Sequence, residues 1–337
     1  MSRPPNKAKR SKRKLRVLLL TLSVVIIGLA MLGIAVYDPS PVGYWRTPEG
    51  QRTYAKTYDE AMKLLPAPSK TLDISTDFGV VRVYEWRTKQ TQLATPIVLL
   101  PGRSAGVPMW VNNLPDFVAK RPVYAMDALG DAGMSVQTVR IKDGTEQATW
   151  LHQILTSLTL TKAHIVGHSF GGWAAANYAT QHPERVASLV LLEPVCVFQG
   201  LSIQIIIKTI PAALPFLPRS WRESMLKDIG GVTELDRTDP VARTIAEGTE
   251  HYAQKLPGLP EQITPKQMQA WKMPVYAAMA GKSVMHDSDR AVAVAQSNIR
   301  HAQVKNWSGA THSLPMEFPR EINAEVLSFI DATDAYR

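Results

Sequence analysis

Short runs of consecutive apolar residues recur along the chain, separated by longer stretches of mixed polar and apolar residues. Such runs are typical of strands that are covered by helices on both faces of a sheet. They predict extended segments at residues 80–86, 96–100, 122–126, 164–167, 186–192, 275–280 and 304–307. The stretches between them predict helices, most clearly at residues 144–158, 171–181, 288–298 and 320–330. This alternation predicts an α/β core built around a mostly parallel, doubly wound sheet.

The interval 196–272 breaks this alternation, because it separates two predicted strands by far more residues than a strand–helix–strand crossover needs. It begins with the apolar stretch LSIQIIIKTIPAALPFLP and continues with polar helical material and several prolines. We expect an inserted helical lid over the strand ends. Residues 201–217 are too short and too interrupted by proline to span a bilayer. Two interpretations of this stretch stay open: it roofs the pocket, or part of its apolar surface dips into a membrane interface.

Residues 17–37, VLLLTLSVVIIGLAMLGIAVY, contain no charge and are long enough to cross a hydrocarbon core of about 30 Å as a helix. We expect an uncleaved transmembrane anchor; a cleaved signal peptide is the alternative, although its apolar region usually spans only about 7–15 residues. The Lys and Arg residues before the run predict a single-pass protein of the cell membrane, with its N-terminus in the cytoplasm and its catalytic domain outside.

These features predict a linear organisation of the chain. A basic cytoplasmic tail (1–16) precedes the anchor (17–37) and a spacer (38–70), and two parts of a core (71–195 and 273–337) flank the lid (196–272).

The net charge of +9 belongs almost entirely to the tail, which holds eight Lys and Arg residues. The remaining 30 Lys and Arg residues nearly balance the 29 Asp and Glu residues. A near-neutral body argues against nucleic acid as a partner. The single cysteine, Cys196, excludes an internal disulfide.

The motif Gly167-His168-Ser169-Phe170-Gly171 follows an apolar strand and opens an Ala-rich helix. This strand–turn–helix context is that of a nucleophile elbow, in which the serine backbone is strained and glycines two positions away remove collisions. The turn presents the Ser169 hydroxyl at a helix N-terminus, whose dipole favours developing negative charge. Ser169 is therefore the candidate nucleophile.

Three further segments make residues 71–330 resemble the α/β-hydrolase superfamily of serine esterases and lipases. They are VLLPGRS (98–104), DALGDAGMS (127–135) and NWSGATHSLPMEFP (306–319). The resemblance implies the α/β-hydrolase fold, His312 as the catalytic base, and the backbone N–H groups of Arg103 and Phe170 as oxyanion donors. Pro101 stands where the family usually has a histidine, and Asp127 receives no catalytic role.

The acid of the expected Ser-His-acid triad has two candidates. The family usually carries it as G-x-x-D after the penultimate strand, but here that position falls on Ser283 or Val284, with Asp287 a few residues later. Glu193 ends the preceding strand in the sequence LLEP and resembles the acid of lipases with an L-D-P context. Glu193 is the preferred acid and Asp287 the alternative.

The resemblance implies a serine hydrolase, of the carboxylesterase or lipase kind, that cleaves an acyl ester through a covalent acyl-enzyme. We expect a small-molecule acyl substrate, with lipid-like esters among the options. Acyl transfer at the same site and a catalytically idle binding module are the alternatives. No motif for a metal, nucleotide or other cofactor accompanies the site, and the proposed chemistry needs none.

Overall fold

One mixed sheet organises the core of the structure, a computed structural model that describes residues 40–213, 217–255 and 260–335. Its strands lie in the order β11, β10, β8, β7, β4, β5, β3, β2, and β6 pairs with β3. Together with β1 and β9, which pair only with each other, the strands are β1 (Tyr44–Trp45), β2 (Lys70–Thr76), β3 (Gly79–Trp86), β4 (Ile97–Leu100), β5 (Val123–Met126), β6 (Val136–Gln137), β7 (Ala163–His168), β8 (Val186–Leu192), β9 (Tyr252–Ala253), β10 (Val275–Ala280) and β11 (Ala302–Trp307).

The strands from β5 to β11 along this order run parallel to their neighbours. In β4, β5, β7, β8 and β10 every residue is buried, because helices cover both faces of the sheet. The two large apolar clusters of the core lie on opposite faces of these strands. Each of the seven predicted extended segments overlaps one of the strands.

The strand β2 was not predicted, because its sequence KTLDIST alternates polar and apolar residues instead of forming an apolar run. It pairs antiparallel with β3, which in turn pairs antiparallel with β5. An antiparallel edge can expose one face, and the β2 side chains accordingly alternate between exposed and half-buried positions. Arg82 and Asp73 form an ion pair across the two strands, with 2.6 Å between nitrogen and oxygen.

Helices cover the sheet and form the lid. They are α1 (Pro48–Met62), α2 (Leu114–Lys120), α3 (Gly144–Ser157), α4 (Phe170–Gln181), α5 (Ile203–Ala213), α6 (Arg219–Gly230), α7 (Pro240–His251), α8 (Pro265–Gln269), α9 (Ser288–Asn298), α10 (Leu314–Glu317) and α11 (Pro319–Ala335). The four clearest predicted helices correspond to α3, α4, α9 and α11. Side-chain caps mark the starts of two of them, α3 and α9; where α3 begins, the Asp143 carboxylate accepts the N–H of Glu146 at 3.0 Å.

The predicted spacer, residues 38–70, differs from the structure, which forms α1 within it. Tyr54 and Tyr58 of this helix are fully buried, and the Tyr58 hydroxyl donates to Asp127 at 2.8 Å. These tyrosines form the face by which α1 packs against the core. The sequence pattern alone does not distinguish a spacer from a packed helix when the buried positions are tyrosines, because each tyrosine ends in a polar hydroxyl.

Between β8 and β10, where the lid was predicted, the chain forms α5, α6, α7, β9 and α8. Helix α5 contacts the core through Ile205, which packs with Val195 and Met285. Its opposite face is exposed: Ile203 and Ile207 are 76% and 59% accessible. Part of the apolar stretch therefore packs down on the core and part faces outward.

The predicted transmembrane anchor, residues 17–37, lies outside the described residues. Within residues 40–213, 217–255 and 260–335, no helix is both long and apolar enough to cross a membrane. The longest helix there, α11, has 17 residues and includes several charged side chains, whereas a span needs about 20 mostly apolar residues. For the part of the chain that the structure describes, the predicted fold is therefore corrected to the α/β core with its lid, with no membrane-spanning helix among those residues. The predicted single-pass location in the cell membrane, and the membrane as a partner through that helix, are corrected likewise: no described residue supports them.

Candidate active site

Ser169 lies in the turn between β7 and α4, with φ 56° and ψ −119°. This left-handed backbone is unusual for a residue other than glycine and brings the surrounding chain very close. A Cβ atom at Gly167 would lie 2.3 Å from the carbonyl oxygen of Gly171, and one at Gly171 would lie 2.1 Å from that of Leu100. Only glycine fits at these two positions, so the motif is dictated by the geometry of the turn.

Ser169, His312 and Glu193 follow the carboxyl ends of three parallel strands and meet at one edge of the sheet. His312 Nε2 lies 2.8 Å from Ser169 Oγ, and His312 Nδ1 lies 2.9 Å from Glu193 Oε2. All three residues are buried, at 5%, 4% and 0% exposure respectively. The three side chains therefore form a continuous hydrogen-bonded relay from a hydroxyl to a carboxylate.

The Glu193 carboxylate is surrounded by donors. Oε1 accepts the backbone N–H of Ala280 at 2.8 Å and lies 3.3 Å from His286 Nε2, while Oε2 accepts the Ser283 hydroxyl at 2.7 Å as well as His312. Burial raises the pKa of Glu193, but the contacts from His286 and His312 outweigh it and hold that pKa well below its usual range. The acid is therefore ionised at neutral pH although it is fully buried.

Asp287, the alternative acid, does not join this group. It is exposed and serves as the N-cap of α9, where its carboxylate accepts the N–H of Arg290 at 3.0 Å. The structure brings Glu193, and not Asp287, to His312.

The loop that carries His312 is held from two sides. The Glu317 carboxylate accepts the backbone N–H of Thr311 at 2.7 Å and its hydroxyl at 2.8 Å. On the other side, Nε2 of His168 donates to the carbonyl oxygen of His312 at 2.8 Å. Burial and the neighbouring His312 lower the pKa of His168 to about 3, so this ring is neutral and acts as a fixed donor. The backbone of His312 is thus fixed before any substrate arrives.

The two predicted oxyanion residues lie side by side. The guanidinium carbon of Arg103 is 3.9 Å from the ring centroid of Phe170. Among the described residues, neither backbone N–H has a protein acceptor. The next residue, Ser104, has φ 58°, and its N–H is held at 2.8 Å by the Asp131 carboxylate. The two predicted oxyanion residues therefore offer two backbone N–H donors without a protein acceptor among the described residues.

Asp127 has the structural part expected of it. Its carboxylate accepts the N–H groups of Val107 at 2.9 Å and Met134 at 2.8 Å, in addition to the Tyr58 hydroxyl. Burial raises the pKa of Asp127 in spite of these hydrogen bonds. Asp127 therefore connects the segment at Val107 to the loop after β5 that contains Met134, and it lies outside the relay.

A cavity of about 60 Å³ lies beside Arg103 and Phe170. Its walls are almost entirely apolar and include side chains from the core and from α3 and α4, namely Met126, Leu129, Trp150 and Trp173. A small apolar group would be well accommodated there.

Sequence reasoning gave no part to Ser283 and His286, which both contact Glu193. A signal existed for Ser283, since it is one of the two positions, with Val284, on which the family's aspartate would fall. No sequence signal identified His286, because its contact depends on how the loop after β10 folds back over β8.

The α/β-hydrolase family model matches residues 97–325. Two curated relatives come from Bacillus subtilis strain 168 and are each 26% identical. The uncharacterized carboxylesterase nap aligns over 83% of this chain and 92% of its own length, and carboxylesterase YbfK over 83% and 94%.

A solved structure shows the same similarity to a carboxylesterase. The crystal structure of carboxylesterase CesB (YbfK) from Bacillus subtilis superposes with a TM-score of 0.77 at 25% identity, over 84% of this chain and 98% of that one.

Proposed function

The chain belongs to the α/β-hydrolase family, as its motifs predicted, and from this premise we propose that it cleaves acyl esters with Ser169, His312 and Glu193 as its catalytic triad. Its similarity to carboxylesterases supports an ester-hydrolysing serine hydrolase. The observation that carries the assignment of residues is the buried relay from Ser169 Oγ through His312 to Glu193 Oε2, with contacts of 2.8 Å and 2.9 Å.

In the first half of the reaction, Ser169 Oγ attacks the ester carbonyl carbon while His312 Nε2 takes its proton. Glu193 stays ionised, keeps the Nδ1 proton of His312 in place and stabilises the imidazolium that forms. The N–H groups of Arg103 and Phe170 donate to the oxyanion of the tetrahedral intermediate. Collapse of the intermediate breaks the bond to the alcohol, which leaves with the proton from His312, and an acyl-Ser169 ester remains.

In the second half, water enters, His312 takes a proton from it, and the resulting hydroxide attacks the acyl carbon. The acid product leaves and Ser169 regains its proton from His312. The apolar cavity beside Arg103 and Phe170 holds the acyl group, so a compact apolar acyl chain is the substrate feature that the site selects.

A fluorophosphonate probe on the full chain tests the nucleophile, because it reacts covalently only with an activated serine. We expect labelling of the folded protein that Ser169→Ala abolishes and that Ser224→Ala, an exposed serine of α6, leaves intact. Hydrolysis of p-nitrophenyl esters of increasing acyl length gives the substrate range in the same preparation. Folded protein that is not labelled, or labelling that survives Ser169→Ala, would contradict the proposal and favour the idle binding module.

A further inference from the structure

His286 is a buried imidazole that lies against the proposed acid, and the reaction described above gives it no part. The residue is 7% exposed, and its Nε2 lies 3.3 Å from Glu193 Oε1. Among the described residues, neither ring nitrogen has a hydrogen-bond partner of standard geometry, and the contact of Nε2 with Glu193 is at ion-pair distance. Burying a polar ring with so few partners disfavours folding, so an apolar side chain would suit a purely space-filling position better.

The Glu193 carboxylate needs a contact on each oxygen to fix its orientation. Its terminal torsion has only broad preferences, so the rotamer alone does not decide which way the two oxygens point. A carboxylate offers about four acceptor positions. Three are taken by well-formed hydrogen bonds from Ala280, Ser283 and His312, and only the first of these holds Oε1. His286 is the second contact on that oxygen.

The loop that carries His286 is itself held from both ends. On the lid side, the backbone N–H of Ser202 donates to the Met285 carbonyl at 2.7 Å, and its hydroxyl donates to the Val284 carbonyl at 2.8 Å. On the core side, the Ser288 hydroxyl donates to the carbonyl of Ala280 at 2.5 Å. The ring of His286 is thus presented to Glu193 by a segment with little freedom to move.

We propose that His286 is a positioning residue for the ester hydrolysis: it holds Oε1 of Glu193 so that Oε2 stays directed at Nδ1 of His312. The inference rests on the proposed function of the triad. It requires the proton of the neutral ring to lie on Nε2, where it faces the carboxylate. His286 contacts neither the substrate nor the reacting atoms, and its effect on the rate passes entirely through Glu193.

The first test compares two substitutions in the full chain on p-nitrophenyl butyrate. His286→Leu keeps a similar volume and removes the donor, whereas His286→Gln keeps an N–H donor. We expect kcat to fall about tenfold in the leucine variant with KM unchanged, and by less than about threefold in the glutamine variant, as is typical of coupled side chains in one hydrogen-bond network. If glutamine restores most of kcat, position 286 acts through an N–H donor and not merely by filling space.

The second test repeats His286→Leu in a Glu193→Gln background. If His286 acts only through Glu193, the loss of about tenfold should shrink to less than about twofold there. His164→Leu is the matched control, because His164 is also buried but contacts Ser188 at 2.8 Å near the starts of β7 and β8, at the ends of these strands away from Ser169 and Glu193. We expect it to lower the melting temperature and leave kcat per folded molecule unchanged.

Equal losses from His286→Leu in both backgrounds, or no loss in either, would overturn the proposal. So would equal losses from the leucine and glutamine variants. If the leucine variant does not fold by circular dichroism, His286→Asn, which withdraws the donor from reach, takes its place with the same expectations. Failure of the proposed function is distinguishable, since it would show as turnover or probe labelling that survives Ser169→Ala.

Discussion

Two loops leave neighbouring parallel strands and end on the same side of the sheet, yet they treat their carboxylates in opposite ways. The loop after β8 buries Glu193 completely, in a left-handed conformation with φ 48°. The loop after β10 keeps Asp287 in solvent at the N-terminus of α9. The family pattern favours the second loop, but the relay uses the first.

The neighbours of a carboxylate thus decide its role more than its place in the chain does. Burying a charge is expensive unless donors compensate for the lost water, and Glu193 has them on both oxygens. Part of that compensation comes from the other loop, which contributes Ser283, one of the two positions on which the family's acid would fall. The loop after β10 thus places no carboxylate at His312 and instead donates a hydrogen bond to Glu193.

Replacing Glu193 should have the largest effect on activity. In Glu193→Gln we expect kcat to fall about 10³- to 10⁴-fold, because the amide can no longer hold the correct tautomer of His312 or stabilise its charged form. Steady-state kinetics on a p-nitrophenyl ester, with the fold checked by circular dichroism, measures this. A loss of less than about tenfold would show that Glu193 is not the triad acid.

The same substitution should change how stability depends on pH. The folded pKa of Glu193 lies below its unfolded value near 4.3, so its ionisation stabilises the fold fully above that unfolded value, and this contribution is lost as pH falls toward the folded pKa. Between pH 6 and pH 3, the wild type should lose about 2 kcal/mol more free energy of unfolding than Glu193→Gln does. Urea denaturation across this range measures the difference. Asp127, whose pKa burial raises, acts in the opposite direction but is present in both proteins and cancels. Parallel curves for the two proteins would contradict the low pKa.

Moving the carboxylate from position 193 to the loop after β10 tests whether that loop is able to supply the acid. The Ser283 hydroxyl lies 2.7 Å from the Glu193 oxygen that contacts His312, so a carboxylate at position 283 starts close to His312 Nδ1. We expect Glu193→Ala/Ser283→Asp to be about tenfold more active than Glu193→Ala, a fraction of what a well-placed acid–base partner contributes. Glu193→Ala/Ser283→Asn is the uncharged control. Equal activity of the two double variants would mean that the loop does not place a carboxylate at position 283 within reach of His312.

The smallest effect belongs to Asp287. In Asp287→Asn the N-cap hydrogen bond can persist, and in Asp287→Ala we expect a loss of about 1 kcal/mol in the free energy of unfolding from the missing cap. Neither change should alter kcat. Thermal denaturation and kinetics on the same samples separate the two effects, and a fall in kcat in either variant would return Asp287 to the site.

Much of the core could be predicted from the sequence, because buried parallel strands such as IVLL and SLVLL leave a strong apolar signal. The edge strand β2 and the packing of helix α1 on the core could not, since their buried positions are few or are filled by tyrosines such as Tyr54 and Tyr58. The N-terminal part of the fold was therefore read as a spacer when it is integral to the core.

Ser169 and His312 were predicted from local signals: the glycines that the elbow requires, and a histidine loop with its own glycine and proline. The acid was harder, because its identity depends on a pairing between loops that are about 90 residues apart. His286 was missed for the same reason. Contacts between distant loops follow from the folded sheet and leave no periodicity in the chain.

The Ser283 hydroxyl also bears on how a lineage of such enzymes could change its acid. Because positions 193 and 283 meet beside one histidine, a chain with carboxylates at both would keep a working partner if either were later lost by mutation. The two buried acids would repel, and one would take up a proton, which leaves a single ionised partner for His312. The acid could therefore pass from one loop to the other along a path on which every intermediate is active.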